Sequence, residues 1–304
     1  MLSIINLNKY LLDLVLFLCF MKIPNDYFKH RKLVFVTQHQ KHIAVFPVLE
    51  DKLECELVLC NQIDTNQFGS FSGEVKRLND AYQTAVLKCD TAQQEFGFDL
   101  VLASEGSFGP HPQIPFLPSN QELLVLKDYK YNFTVSATFT SLETNFSAET
   151  ISSMNGLEAF AQKVKFPSHA LIFKDRKDQF REVHKGIDNQ LELEKIFEPL
   201  LVKHRQAYIE TDMRACYNPT RQKVIAQTAQ KLLKQLHSTC PKCRLPGFQV
   251  TSAQTGLKCS ACRFPTNSIL YQECCCQNCN FVKRNYYPDD RLLSDPAYCN
   301  FCNP

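Results

Sequence analysis

Four Cys-x-x-Cys pairs fall in the last quarter of this 304-residue chain, at Cys240/Cys243, Cys259/Cys262, Cys276/Cys279 and Cys299/Cys302. Two thiolates separated by two residues can face one ion from a single tight turn. Two such turns complete the tetrahedral sulfur shell that zinc favours. Fifteen residues separate the first two pairs and nineteen the last two, so each half fits a four-cysteine ribbon. The expectation is two structural zinc ions. Disulfides would require an oxidising compartment, and an iron–sulfur cluster would gather the pairs into one ferredoxin-like run. Sequential pairing of neighbouring pairs is favoured because a ribbon closes locally. A cross-braced arrangement, first pair with third and second with fourth, satisfies the same arithmetic. Cys274 and Cys275 beside Cys276 leave the ligand choice of the second site open. Either way every ligand position is filled by sulfur, and such closed sites hold folds together rather than catalyse.

A second concentration of chemistry is ASEGSFGPHPQIPFLP at residues 103–118, directly after a predicted buried strand. Open α/β sheets bind ligands beyond the carboxyl ends of their strands, which makes Ser104, Glu105, Ser107 and His111 candidate site residues. Gly106 and Gly109 allow close backbone approach, and the four prolines predict a stiff return loop; the competing reading is an ordinary Gly/Pro-rich connection. A third segment, DTNQFGSFSGE at 64–74, places Ser72 as a helix cap and Glu74 in the first turn, where a carboxylate also simply complements the helix dipole. A fourth, TQHQKH at 37–42, offers Thr37, His39 and Lys41 to a phosphate, although such groups are common on ordinary surfaces. Near the start of the last long helix, Asp212, Arg214, Asn218 and Arg221 admit two readings. One is an anion site at a helix N-terminus; the other is a cap plus an Asp212–Arg214 pair.

These residues need elements to hold them. Strands are expected at residues 33–37, 56–60, 99–103, 122–127, 133–140 and 169–173, with helical stretches at 43–49, 73–96, 155–163 and 189–208. The short unbroken apolar strands predict an α/β domain whose mixed, mostly parallel sheet is flanked by helices, followed by a small C-terminal zinc-ribbon domain. Asn218 and Pro219 sit at cap and first helical positions, so a helix should run to about His237 and lead into the first cysteine pair. The divisions expected are an apolar N-terminal extension over 1–31, an α/β core over 32–217, a connecting helix over 218–238 and the zinc-ribbon domain over 239–304.

Thirty-four basic against 31 acidic residues give a net charge of +3, which provides no large electrostatic footprint for nucleic acid. Cys19, Cys55, Cys60, Cys89 and Cys216 show no paired spacing and read as free thiols, favouring a reducing cytoplasm. Residues 11–21, LLDLVLFLCFM, resemble the apolar core of a signal peptide. The run is too short to span a bilayer, Asp13 interrupts it, and no small-x-small cleavage site follows. An amphipathic extension or a start at Met21 is favoured over a signal or anchor, and no stable membrane span is expected.

Taken together, TQHQKH, FGSFSGE, LASEGSFGPHPQIPFLP, TDMRACYNPTR and a CPKC to CNFCNP end resemble an uncharacterised, mostly bacterial family of unknown function, over about residues 33–304. His42 stands where that family's motif has an acidic residue. The order of motifs is also similar, distantly, to nucleoside triphosphate pyrophosphatases of the inosine/xanthosine type. That resemblance implies Glu74 and Glu105 as ligands of Mg2+, Lys41 as a phosphate contact, and a nucleotide or small phosphorylated metabolite as substrate. The alternative is a non-catalytic module whose zinc ribbons recognise nucleic acid or a protein partner. Its cations would be Lys242, Arg244, Arg263, Lys283, Arg284 and Arg291, with Phe264, Phe281, Tyr286 and Tyr287 for stacking.

Overall fold

The structure is a computed structural model that describes residues 27–69 and 78–304. The chain divides into two compact units; Phe28–Leu233 forms one and Lys234–Pro304 belongs to the other. The first unit opens with β1 (Lys32–Val36), α1 (His42–Leu53) and β2 (Glu56–Cys60), then α2 (Ala81–Phe96), β3 (Leu100–Pro110), β4 (Pro118–Asp128) and β5 (Phe133–Ser141). These strands make a five-stranded sheet in the order β2-β1-β3-β4-β5. Further along come β6 (Ala148–Ile151), α3 (Met154–Lys163), β7 (Leu171–Lys174), β8 (Val183–Ile187), α4 (Gln190–His204), β9 (Ala207–Thr211) and α5 (Pro219–His237), with a four-stranded sheet ordered β6-β9-β7-β8.

The sheets are mostly antiparallel, which corrects the expectation of a mostly parallel one. Parallel pairing is confined to β1 with β2 and β1 with β3; the other named pairings of the unit run antiparallel. The cause lies in residues 103–118. Rather than a loop after a short strand, Ser104–Pro110 continue β3 in register with β4, from Leu100 opposite Asp128 to Pro110 opposite Pro118. The prolines bracket the hairpin turn, where they cost no ladder hydrogen bond, and the His111 N–H donates to the Leu117 carbonyl at 2.8 Å. Glycines inside a strand ordinarily mark a bulge or a close approach, and Gly106 is the second case, as shown below.

Strand periodicity sorts the core. Val101 and Ala103 join Val34 and Val36 against Ala85, Cys89 and Ala92 of α2. On the four-stranded sheet, Ile209 and Ala207 pack with Leu157, Phe160, Leu193 and Phe197 of α3 and α4. Asp80 caps α2 by accepting from the Gln83 N–H at 2.7 Å, so that helix starts at Ala81 and Ser72 is not its cap. Ser72 and Glu74 lie outside the described residues. The helix expected at 189–208 stops at His204, Arg205 turns left-handed at φ 63°, and Tyr208 enters β9. Among the described residues no helix is long and apolar enough to cross a membrane.

In the second unit, β10 (Val250–Thr255), β11 (Ile269–Cys275) and β12 (Val282–Tyr286) form an antiparallel sheet in chain order.

Candidate functional site

The cysteine pairs assemble by strand direction. Each strand of the β10-β11-β12 sheet separates two successive pairs, and a strand of six residues advances the chain by about 20 Å. Consecutive pairs thus fall at opposite ends of the sheet. First meets third and second meets fourth: Cys240, Cys243, Cys276 and Cys279 make one group, and Cys259, Cys262, Cys299 and Cys302 the other. The sequential pairing is overturned, because strand direction outweighs the shorter loop. Cys274 and Cys275 belong to neither group; they lie in β11. The first three turns repeat one geometry. The first-cysteine N–H donates to the carbonyl five residues on (Cys240 to Leu245 2.9 Å, Cys259 to Phe264 2.8 Å, Cys276 to Phe281 3.0 Å), and the residue after the second cysteine is left-handed (Arg244, Arg263, Asn280). Backbone amides aim inward, led by the Cys262 N–H, which draws the Cys259 thiol down to about 7.

The donor set fits a tetrahedral ion. Zinc–sulfur bonds of about 2.3 Å place the sulfurs of a regular tetrahedron about 3.8 Å apart. The Sγ–Sγ separations include 3.7 Å (Cys240–Cys279), 3.5 Å (Cys243–Cys276), 3.9 Å (Cys259–Cys302) and 3.5 Å (Cys262–Cys299). None of the described cysteines is disulfide-bonded.

In the first unit, the β1–β3 pairing runs from Val34 opposite Val101 to Val36 opposite Ala103 and ends there, while β3 runs on to Pro110. From Ser104 onward the β3 edge has no β1 partner, and a cavity of about 360 Å³ opens along it. Thr37, His39, Lys41, Ser104, Glu105 and Ser107 all line this cavity. His111 does not; it sits at the hairpin turn, where its Nδ1 accepts from the Gln113 N–H at 3.2 Å. Two consecutive left-handed residues, His39 and Gln40, turn the chain so that Lys41 points back at β3, and its Nζ donates to Ser104 Oγ at 3.1 Å. Burial, then the nearby Arg221 guanidinium, push the Lys41 amine down to about 7. Burial and Arg214 hold the His39 imidazole down at about 4, so it is neutral at pH 7. On the opposite face of β3, Glu105 is ion-paired with Lys88 of α2, both nearly buried. Carboxylate and ammonium thus offset each other's desolvation.

Beneath this edge lies a buried pair that the sequence did not signal. Arg221 is fully buried and grips Glu122 through Nε–Oε1 at 2.7 Å and Nη2–Oε2 at 3.3 Å, while its Nη1 donates to the Met213 carbonyl. Glu122 is the register partner of Gly106, and the guanidinium lies against the bare Gly106 Cα. A Cβ there would collide with Arg221 Nη2 and come within 2.8 Å of Glu122 Oε1. Arg221 is therefore committed to the fold. The same holds for the rest of its cluster: Asn218 Oδ1 caps α5 by accepting from the Arg221 N–H at 2.9 Å, and Asp212 pairs with Arg214 at 2.6 Å.

The far wall comes from the four-stranded sheet, with Ile172, Glu210, Thr211 and Met213, and from Phe146, whose ring lies 5.8 Å from Phe108. Sequence reasoning missed this wall because β9 reads as the tail of a helix. Alternation in AYIET, with Glu210 between buried Ile209 and Thr211, is the signal that would have found it.

The Domain of unknown function (DUF6671) family matches residues 88–304, well over half of the chain, and the chain belongs to that family. No curated protein matches. Among solved structures, the hypothetical protein CT253 from Chlamydia trachomatis aligns at 12% identity over 38% of this chain and 76% of that one, with a TM-score of 0.19, too low to carry an argument.

Proposed function

We propose that this member of the DUF6671 family hydrolyses a phosphoanhydride bond of a nucleotide or small phosphorylated metabolite in the cavity of its α/β unit, with its two tetracysteine centres holding structural zinc. The observation that carries the reading is the convergence of Lys41, Ser104, Glu105 and Lys88 on one cavity from three separate chain segments. Two ammonium groups and two hydroxyls (Ser104, Ser107) suit a phosphate. The Lys41 amine, protonated when an anion arrives, binds it as a point charge. Glu105, held by Lys88, is oriented to accept a proton from an attacking water. His39, neutral, offers a hydrogen bond without competing for the charge.

Mg2+ ordinarily takes one or two carboxylates plus the substrate's own phosphates. Glu105 fits as one such ligand, Glu74 is the second expected, and the ion would supply charge neutralisation at the transferred group. The carboxylates among the described lining residues are Glu105 and Glu210. Release of phosphate or pyrophosphate from a panel of nucleoside triphosphates, with and without Mg2+, tests the reading. Mg2+-dependent turnover supports it, and no release above blank sinks it.

A second reading concerns the cysteine-rich unit, where exposed rings cluster: Phe264 and Phe301 stack at 5.2 Å, and Arg284 lies over Tyr271 beside Tyr286. Such platforms suit single-stranded nucleic acid. Lys234–Pro304 carries eight Lys/Arg against four Asp/Glu, but two filled tetrathiolate centres would add about two negative charges each. Charge attraction is therefore small, and weak, salt-sensitive binding is the most this surface supports.

A further inference from the structure

The cavity is bipolar. Lys41, Lys88, Ser104 and Glu105 occupy the wall built on β3, while the wall built on β7 and β9 presents a carboxylate above an apolar floor. Ile172 and Glu210 are register partners and so project from the same face of the four-stranded sheet. Lys174, two residues along that face, binds Glu210 Oε1 at 2.7 Å and is itself pinned between the Phe180 and Tyr208 rings at 4.7 and 6.0 Å. This fixes the carboxylate at the cavity edge. Next to it, Phe108 and Phe146 provide an aromatic surface, with Ile172 and Met213 completing the apolar lining. A simple phosphate binder needs none of this.

We propose that Glu210, with the Phe108–Phe146 pair, is a base-recognition subsite that selects nucleotides whose base presents a ring N–H, as guanine and uracil do, over those presenting a ring nitrogen acceptor, as adenine and cytosine do. The inference rests on the phosphoanion reading of the other wall. A carboxylate accepts from the N–H of guanine N1 or uracil N3 and faces a lone pair in adenine N1 or cytosine N3. A site with a fixed acceptor rejects the wrong edge because one of two buried polar groups is then unpaired. The aromatic pair stacks any base and contributes affinity without discrimination.

The test uses the full-length protein at pH 8 and measures dissociation constants by calorimetry for inorganic pyrophosphate, GTP, UTP, ATP and CTP. The expected result is GTP and UTP binding at least about tenfold tighter than ATP and CTP. Glu210→Gln should bring that ratio close to one while leaving pyrophosphate binding unchanged. Phe146→Ala, at a partly exposed ring, should weaken all four nucleotides alike and leave pyrophosphate unaffected; it keeps the stacking surface testable if Glu210→Gln fails to fold. Pyrophosphate binding with no preference among the four nucleotides, or a preference that survives Glu210→Gln, overturns this inference alone. Absence of pyrophosphate binding overturns the phosphoanion reading and this inference with it.

Discussion

The Lys41 ammonium donates to the Ser104 hydroxyl at 3.1 Å across 63 residues of chain, and both groups are buried. No carboxylate contacts that amine among the hydrogen bonds and ion pairs of the described residues. The amine carries the cost of burial and of Arg221 nearby, which lowers it from 10.5 to about 7. Such a group waits for an anion.

The sign of its effect on stability follows from linkage. Below about pH 7 both the folded and unfolded chains hold the Lys41 proton, and the burial penalty is felt in full. Between about 7 and 10.5 the unfolded chain holds a proton that the folded chain has lost, so this group's contribution to stability rises with pH across that window. Lys41→Met should therefore stabilise the protein most at pH 6, with the gain fading toward pH 10. Thermal melts of both proteins at four pH values check this; a gain that grows with pH would contradict it.

Anion binding should take up a proton at the same amine. Sulfate, whose charge is constant from pH 5 to 9, should bind more tightly as pH falls through about 7, and Lys41→Met should remove the dependence. His39 does not contribute in this range because it is held near 4. A dependence that persists in Lys41→Met would place the titrating group elsewhere.

Gly106→Ala should be among the most damaging single-methyl additions in the chain. The new Cβ displaces Arg221 from Glu122, and breaking a buried ion pair costs about 3 kcal/mol or more. Urea denaturation reads the loss directly. A change below about 0.5 kcal/mol, the scale of an ordinary surface substitution, would mean the pair re-forms around the methyl group.

Cross-bracing makes a prediction that sequential pairing does not share. Cys259→Ser and Cys302→Ser should each release the same ion and add no further loss when combined, whereas Cys240→Ser with Cys259→Ser should release both. Native mass spectrometry counts the ions. Loss of a single ion from the Cys240/Cys259 double variant, or of both from the Cys259/Cys302 double variant, would contradict the assembly.

Much of this was legible in the residues, and most of the failures share a cause. The four cysteine pairs, the Asn218–Pro219 helix start and the apolar runs of β1 and β2 are local signals, fixed by spacing and capping chemistry. The β3–β4 hairpin was hidden because Gly106, Gly109 and the prolines after it have the composition of a loop. Only the distant Arg221 explains why a glycine belongs in mid-strand. Pairing of the cysteines depended on the direction of β10 and β11, and the Glu210 wall on a strand too short to stand out. The hairpin and the cysteine pairing are long-range relations that no local pattern encodes, whereas the alternation of β9 is local but short.

Glu105 carries the central claim, and the structure sets the terms of its test. Glu105→Gln leaves the buried Lys88 without its counter-charge, so some loss of stability is expected and the folded fraction must be confirmed by circular dichroism at the assay temperature. The decisive measurement is then Mg2+-dependent release of phosphate or pyrophosphate by folded Glu105→Gln beside the unaltered protein. The account predicts turnover lower by about a hundredfold or more, as expected when a general base or metal ligand is lost; turnover retained in the folded variant would contradict it.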